Sequence, residues 1–304
     1  MKYPALQLQE RTFANRLKRK LRMKIEEKVI SKIKMKLPAR FGGTRGQSSS
    51  APPKPVTAAL IGVGQVAQWK YLPQFRGGNG FLLRGVFDVN MEAAELIAGE
   101  FSCKSYASVD ELVSDEGVSA VFICSPPRFH YEAARAAIEA GKHVLCEKPL
   151  ASSYVEARDM WETARTSAVR HMVNFSYRYR PDIAHLVDIV RSGMLGSIYH
   201  VSGMFSQGQW FSENSEPSHE RGDDASWRYE AGGGVVLELG AHLIDMLRMC
   251  FGEVRWVSAW TESFHREHPD CENACGLSMK FDQGPVAHVV TSRFATGFKE
   301  HSSL

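Results

Sequence analysis

No stretch of the chain approaches the ~20 uninterrupted apolar residues that a spanning helix needs, and the basic N-terminus lacks the apolar core of a secretory signal. These absences argue against membrane insertion and secretion, and a cytoplasmic setting is expected. Cysteine is sparse: the six residues, at 103, 124, 146, 250, 271 and 275, are scattered and form no disulfide framework, so reduced thiols are expected. The closest approach to a metal pattern is His265, His268, Cys271 and Cys275, whose spacing resembles no common zinc module closely, and no metal is expected. Internal repeats are absent, and a Ser/Pro linker is the one low-complexity tract.

A chain of 304 residues with 44% apolar composition buries a substantial core and fits about two domains. Its net charge of +3 conceals an asymmetry. Residues 1–55 hold 15 Lys+Arg against 3 Glu, a local +12, while the rest sets 22 Lys+Arg against 31 Asp+Glu and carries −9. In this leader Leu17, Leu21, Ile25, Val29 and Ile33 recur every fourth residue, which predicts a basic amphipathic helix over Arg11 to Lys36. It is either a solvated tail or a weak contact for an anionic membrane surface or a partner; its low aromatic content argues against nucleic acid. Gly42-Gly43, Ser48 to Ser50 and Pro52-Pro53 then read as a flexible linker, placing a boundary near residue 55.

Beyond the linker, strand and helix alternate. Strands are predicted at Ala58 to Ile61, Leu82 to Asp88, Val118 to Cys124, His143 to Glu147 and Met172 to Phe175, with helices at Val66 to Arg76, Met91 to Phe101, His130 to Ala140 and Tyr154 to Thr166. That order implies right-handed β-α-β units on a parallel sheet. After Pro181 one helix, Asp182 to Arg191, leads to period-two segments at Ile198 to Phe205, Arg255 to Thr261, Cys275 to Phe281 and Val286 to Ser292. These predict a mostly antiparallel sheet. The expected class is α/β: leader and linker over 1–55, a Rossmann dinucleotide-binding domain over 56–178, and an α+β substrate or oligomerisation domain over 179–304.

The first strand runs into Gly62-Val63-Gly64-Gln65-Val66-Ala67, a G-x-G-x-x-A turn that opens a helix. Gly62 permits the tight turn, Gly64 lets the backbone approach a pyrophosphate, and Ala67 allows close helix packing. The second strand ends at Asp88, 21 residues beyond Ala67, where a carboxylate accepts hydrogen bonds from ribose hydroxyls and repels a 2′-phosphate. NAD is therefore preferred over NADP, with Arg84 and Asn90 as the counter-signals. Farther on, Glu147-Lys148-Pro149 places an acid, a base and a proline at the carboxyl end of a parallel strand, where ligands bind. A lysine there can donate to a reacting oxygen as hydride leaves the carbon. An X-Pro bond at that position has access to the cis form.

The glycine turn, Cys124-Ser125-Pro126-Pro127 with His130, the run Ala140-Gly141-Lys142-His143-Val144-Leu145-Cys146-Glu147-Lys148-Pro149, Asn174-Phe175 with Tyr177-Arg178 and Pro181, Gly193 with Gly196, and Gly232-Gly233-Gly234 leading to His242 and Asp245 occur in an order that resembles one family. It is that of glucose-fructose oxidoreductase, inositol dehydrogenase and rhizopine catabolism (Gfo/Idh/MocA). The resemblance covers nearly everything from Val56 to about Ser292. It implies an NAD(P)-dependent dehydrogenase acting on the hydroxyl carbon of a sugar, cyclitol or nucleotide-sugar, and a homo-oligomer. A non-catalytic dinucleotide-sensing regulator of the same fold is the alternative.

By the same resemblance Lys148 and His242 are the catalytic candidates, with Glu238 where relatives commonly carry aspartate. On a helix, i and i+4 share a face, which puts Glu238 within reach of His242, to touch or to orient it. Gly62, Gly64, Gln65, Val66, Asp88, Ser125, Pro126, His130, Glu147 and Lys148 are expected around the cofactor, and Tyr177, Arg178, Trp227, Arg228 and Asp245 around the substrate, packing being the competing role for the aromatics. Arg128 departs from the family pattern, as an anion contact or a solvated side chain. Relatives usually continue past the position of Leu304, so the chain reads as truncated or as having a small second sheet.

Overall fold

A computed structural model describes residues 54–78, 80–208, 233–264, 268–295 and 301–303. The predicted leader helix, the linker, Trp227, Arg228, Gly232 and His265 lie outside these residues.

The first sheet contains β1 (Val56–Ile61), β2 (Phe81–Phe87), β3 (Lys104–Ser105), β4 (Ala120–Ile123), β5 (His143–Glu147) and β6 (His171–Asn174), in the order β3-β2-β1-β4-β5-β6. All of its pairings are parallel. The helices are α1 (Leu72–Arg76), α2 (Met91–Phe101), α3 (Val109–Ser114), α4 (His130–Glu139) and α5 (Tyr154–Thr166). Strands β1 and β4 are continuous apolar runs because both faces are covered. Ala58, Leu60 and Phe122 pack against the first two helices, and Ala59, Ile61, Val121 and Ile123 against the others. Asn90, Ser108 and Ser153 cap α2, α3 and α5 with side-chain oxygens. The order of strands reverses between β1 and β4, and the crevice above their carboxyl ends is where such sheets bind ligands.

The helix expected at Val66 to Arg76 is split. Its first part, Ala67–Tyr71, is a π turn, and α1 follows with Pro73 in its opening turn, where a missing N–H is tolerated.

The second sheet holds β7 (His200–Ser206), β8 (Val254–Glu262), β9 (Ala274–Phe281), β10 (Val286–Ser292) and β11 (His301–Ser303), in the order β11-β7-β10-β9-β8. Three pairings are antiparallel and β7/β10 is parallel, so the sheet is mixed. Among the described residues two helices accompany it, α6 (Pro181–Arg191) and α7 (Ala241–Phe251). The chain leaves β7, passes through α7 and enters β8 in the same direction as β7; two reversals then bring β10 beside β7 in parallel. Leu243, Met246 and Leu247 of α7 pack on Phe205, Leu277, Met279, Phe281 and Val289, covering one face. The opposite face exposes Trp256, Trp260, His288 and Val290.

Candidate active site

At the glycine turn, Gly62 has φ +90°, and a Cβ there would lie 2.6 Å from the Ser125 backbone nitrogen and 2.8 Å from the Cys124 carbonyl carbon. The turn is therefore pressed against the end of β4. Gly64 is different: its Cβ direction meets nothing within 4 Å. Asp88 braces the turn, accepting from the Val63 N–H at 2.8 Å and the Asn90 N–H at 2.9 Å. Gln65 and Val66 lead into the π turn, half-buried; the nearby amide that bonds the turn is Gln68, which donates to the Val63 carbonyl at 3.1 Å. Open space over Gly64, the Asp88 carboxylate and a buried Ser125 Oγ with no partner among the described residues fit a dinucleotide.

His130, expected near the cofactor, is held between two loops by the backbone. It is buried, and its ring nitrogens lie 2.8 Å from the Pro149 carbonyl oxygen and 2.7 Å from that of Ser125. Both nitrogens are thus occupied by backbone, and the ring ties the loop after β4, including Pro126, to the loop after β5. Burial lowers its pKa and outweighs the two carbonyls, which favour the cation. Arg128, next to these prolines, is exposed and stacks on Phe129, its guanidinium carbon 4.6 Å from the ring centroid.

At the end of β5, the Lys148-Pro149 bond is cis. Glu147 is buried and accepts from the Tyr71 hydroxyl at 2.8 Å and the Asn174 amide at 2.9 Å, with the Lys70 ammonium 3.6 Å away. Burial, then the Glu147 charge, pushes the Tyr71 hydroxyl pKa up, so Tyr71 stays a donor. Lys148 is half-buried and donates to the backbone carbonyl of Glu238 at 3.0 Å, across to the second sheet's domain.

That carbonyl belongs to a second π turn, Val236–Gly240, directly before α7. Gly234, at φ +83°, sets its start: a Cβ there would fall 2.2 Å from the Glu272 carboxylate, which accepts from the Val236 N–H at 3.2 Å. Gly234 therefore serves the turn that carries Glu238. The Glu238 carboxylate meets the Arg293 guanidinium, both side chains 7% exposed, so the contact expected with His242 is replaced by a charged partner. A guanidinium binds a buried carboxylate more strongly than a neutral imidazole does.

His242 is 7% exposed and lies in an aromatic box. Its ring stacks on Tyr177 at 4.4 Å and 16°, with the Phe175 and Phe205 rings each 6.2 Å away. Nδ1 is buried without a partner among the described residues. Burial, followed by the charges of Lys148 and Lys70, pulls its pKa down to about 3. The imidazole is accordingly neutral at ordinary pH. Asp245, one turn along α7, is buried and paired through both oxygens with Arg178, Nε to Oδ2 at 2.8 Å.

Sequence reasoning brought together Lys148, His242, Glu147, Tyr177 and the glycine turn. It missed Lys70, Tyr71, Glu272 and Arg293. Each acts through a partner more than 30 residues away in sequence, for which no local spacing exists.

Among the described residues no group of His, Cys, Asp and Glu is arranged to hold a metal ion, and no helix is long and apolar enough to cross a membrane. The cysteines are free, and burial raises the pKa of each of them.

A family model described as oxidoreductase family, NAD-binding Rossmann fold, matches residues 56–175, and the model of the family's C-terminal domain matches residues 183–303. The chain is similar to 1,5-anhydro-D-fructose reductase of Ensifer adhaerens, 30% identical over 260 residues covering 80% of this chain and 72% of that protein. It is 33% identical over 181 residues to levoglucosan dehydrogenase of Pseudarthrobacter phenanthrenivorans, covering 59% of this chain and 44% of that one. The solved levoglucosan dehydrogenase in complex with NADH and L-sorbose superposes with a TM-score of 0.72 at 27% identity, over 82% of this chain and 70% of that one. The chain thus spans less than two thirds of several relatives it matches, including 53% of glucose-6-phosphate 3-dehydrogenase of Bacillus subtilis. Both halves of the described structure nevertheless match, in order, the two domains of one family, and the chain belongs to the Gfo/Idh/MocA oxidoreductases with an NAD-binding Rossmann domain.

Proposed function

We propose that the protein is an NAD-dependent dehydrogenase that interconverts a hydroxyl and a carbonyl on a sugar, cyclitol or nucleotide-sugar. The observation that carries this reading is an ammonium whose charge acts on a neutral imidazole: Lys148, just after β5, held by the Glu238 carbonyl, and His242 on α7, buried with its Nδ1 lacking a partner among the described residues. Bound NAD supplies the hydride-accepting nicotinamide. Lys148 donates a hydrogen bond to the substrate oxygen and stabilises its alkoxide character. His242, neutral because it is buried beside two cations, accepts the hydroxyl proton. An alkoxide developing next to the ring favours the imidazolium and offsets the depressed pKa at the moment the proton moves.

Tyr177 orients the ring by stacking. Arg178 and Asp245 hold one another at the rim, where a polyol hydroxyl exchanges for one of their hydrogen bonds. Gln65, Val66, Ser125, Pro126 and Glu147 border the dinucleotide, and Asp88 favours NAD over NADP by repelling a 2′-phosphate. We place the Rossmann unit at 56–178 and the substrate unit at 179–304. The open sheet face, with Trp256, Trp260 and Val290 exposed, supports a homo-oligomer.

The test is nicotinamide absorbance during incubation with NAD and a panel containing levoglucosan, glucosides, glucose 6-phosphate and inositols, with 1,5-anhydro-D-fructose and NADH for the reverse direction. Turnover that falls at least about 100-fold in Lys148→Ala, yet stays measurable, supports the reading; equal turnover by the variant refutes it.

A further inference from the structure

Behind Lys148 lies a buried ion pair that no proton-transfer step uses. Arg293, 5% exposed, follows β10 and meets the Glu238 carboxylate in the interior. Withdrawing two charges from water costs several kcal/mol per ion, and replacing such pairs with apolar residues is often neutral or stabilising. Stability alone is therefore a poor reason for the pair. Its geometry gives a better one. Arg293 is fixed from two sides, its N–H donating to the Asn273 carbonyl at 2.9 Å and its Nη1 to Gln207 Oε1 at 3.2 Å. Glu238 is the middle residue of the π turn, its N–H donates to the Gly234 carbonyl at 3.1 Å, and its own carbonyl receives Lys148 Nζ at 3.0 Å. Glu272 grips the start of this turn through Val236. A π turn departs from the regular helical ladder, so its peptides need outside anchors.

We propose that Arg293 is a positioning residue: through the Glu238 carboxylate it fixes the peptide whose carbonyl receives the Lys148 ammonium, and so sets where that ammonium meets the substrate oxygen. This rests on Lys148 acting at the reacting oxygen. It also explains why a glutamate suits position 238. Aspartate withdraws the carboxylate by one carbon–carbon bond, roughly 1.5 Å, and loses the grip of an arginine that is itself fixed.

The experiment uses the full chain, NAD and the panel sugar with the largest rate. The double variant Glu238→Gln/Arg293→Met removes both charges at similar volume. A misplacement near 1 Å lowers kcat by about 10- to 100-fold, with KM and NADH affinity within about threefold. In a Lys148→Ala background the same pair of changes costs less than about threefold, because its effect acts through Lys148. A readout without turnover is the NMR resonance of Lys148 after reductive ¹³C-methylation, assigned by its loss in Lys148→Arg; it shifts or broadens in the double variant. If the double variant does not fold, Glu238→Asp, which keeps both charges, shows the same kcat loss and the same resonance change. Wild-type kcat with an unmoved resonance in a folded variant, or an equal loss in both backgrounds, overturns the proposal. Wild-type turnover by Lys148→Ala itself overturns the reading beneath it, which separates the two failures.

Discussion

Two glycines of the cofactor turn, two residues apart, carry opposite consequences. Gly62→Ala forces an L side chain to φ +90° and drives its Cβ to 2.6 Å from the Ser125 nitrogen, and the colliding atoms are backbone. The left-handed conformation costs about 1–2 kcal/mol and overpacking about 1–3 kcal/mol more. The sum, about 2–5 kcal/mol, lowers the melting temperature by roughly 5–15 °C for a domain of this size. Gly64→Ala meets nothing within 4 Å and has no positive φ, so the apo protein melts like wild type. Its methyl instead fills the space where a pyrophosphate approaches the backbone, and NADH binding weakens about 10- to 100-fold, equivalent to about 1.4–2.8 kcal/mol. Differential scanning calorimetry without ligand and isothermal titration with NADH read the two effects separately. Wild-type NADH affinity in Gly64→Ala, or a Gly62→Ala melt no lower than that of Gly64→Ala, refutes the assignment of the two roles.

Acid stability follows from His242. Its folded pKa of about 3 lies below the ordinary 6.5, so its contribution is present in full above pH 6.5 and is lost as pH falls toward 3. Urea unfolding between pH 6.5 and about 4.5 loses about 2–3 kcal/mol from this residue, and His242→Phe flattens that slope; an unchanged slope contradicts the burial argument. Gly234→Ala pushes the Glu272 carboxylate off the Val236 N–H and destabilises by about 2–3 kcal/mol in chemical denaturation. Trp260→Glu on the open sheet face weakens self-association at least about tenfold in sedimentation velocity; identical sedimentation of wild type and variant argues against that face as the oligomer contact.

Much of the nucleotide half was legible because its signals are local. Ala58 to Ile61 is an unbroken apolar run ending in glycine, and a strand covered on both faces must read that way. Strand β3, with two residues, and α3, with six, are too short to show a period. Helix α7 escaped because glycines and a π turn precede it, although Leu243, Met246 and Leu247 do form an apolar stripe. The parallel pairing of β7 and β10 depends on a crossover that no strand pattern encodes. In the site, Lys148 and His242 sit in recognisable segments. Lys70 reads as a solvated cation and Arg293 as a charge ending a strand until Glu147 and Glu238 are seen beside them.

In the proposed reaction Lys148 and the neutral His242 handle the proton while NAD takes the hydride. Single-turnover absorbance with saturating NAD and the active panel sugar tests it directly, comparing wild type, Lys148→Ala and His242→Ala, with NADH affinity measured on each. Both variants are expected to bind NADH within about threefold of wild type and to lose at least about 100-fold in the hydride-transfer rate, the range general acid–base groups supply. Undiminished hydride transfer in either variant contradicts it.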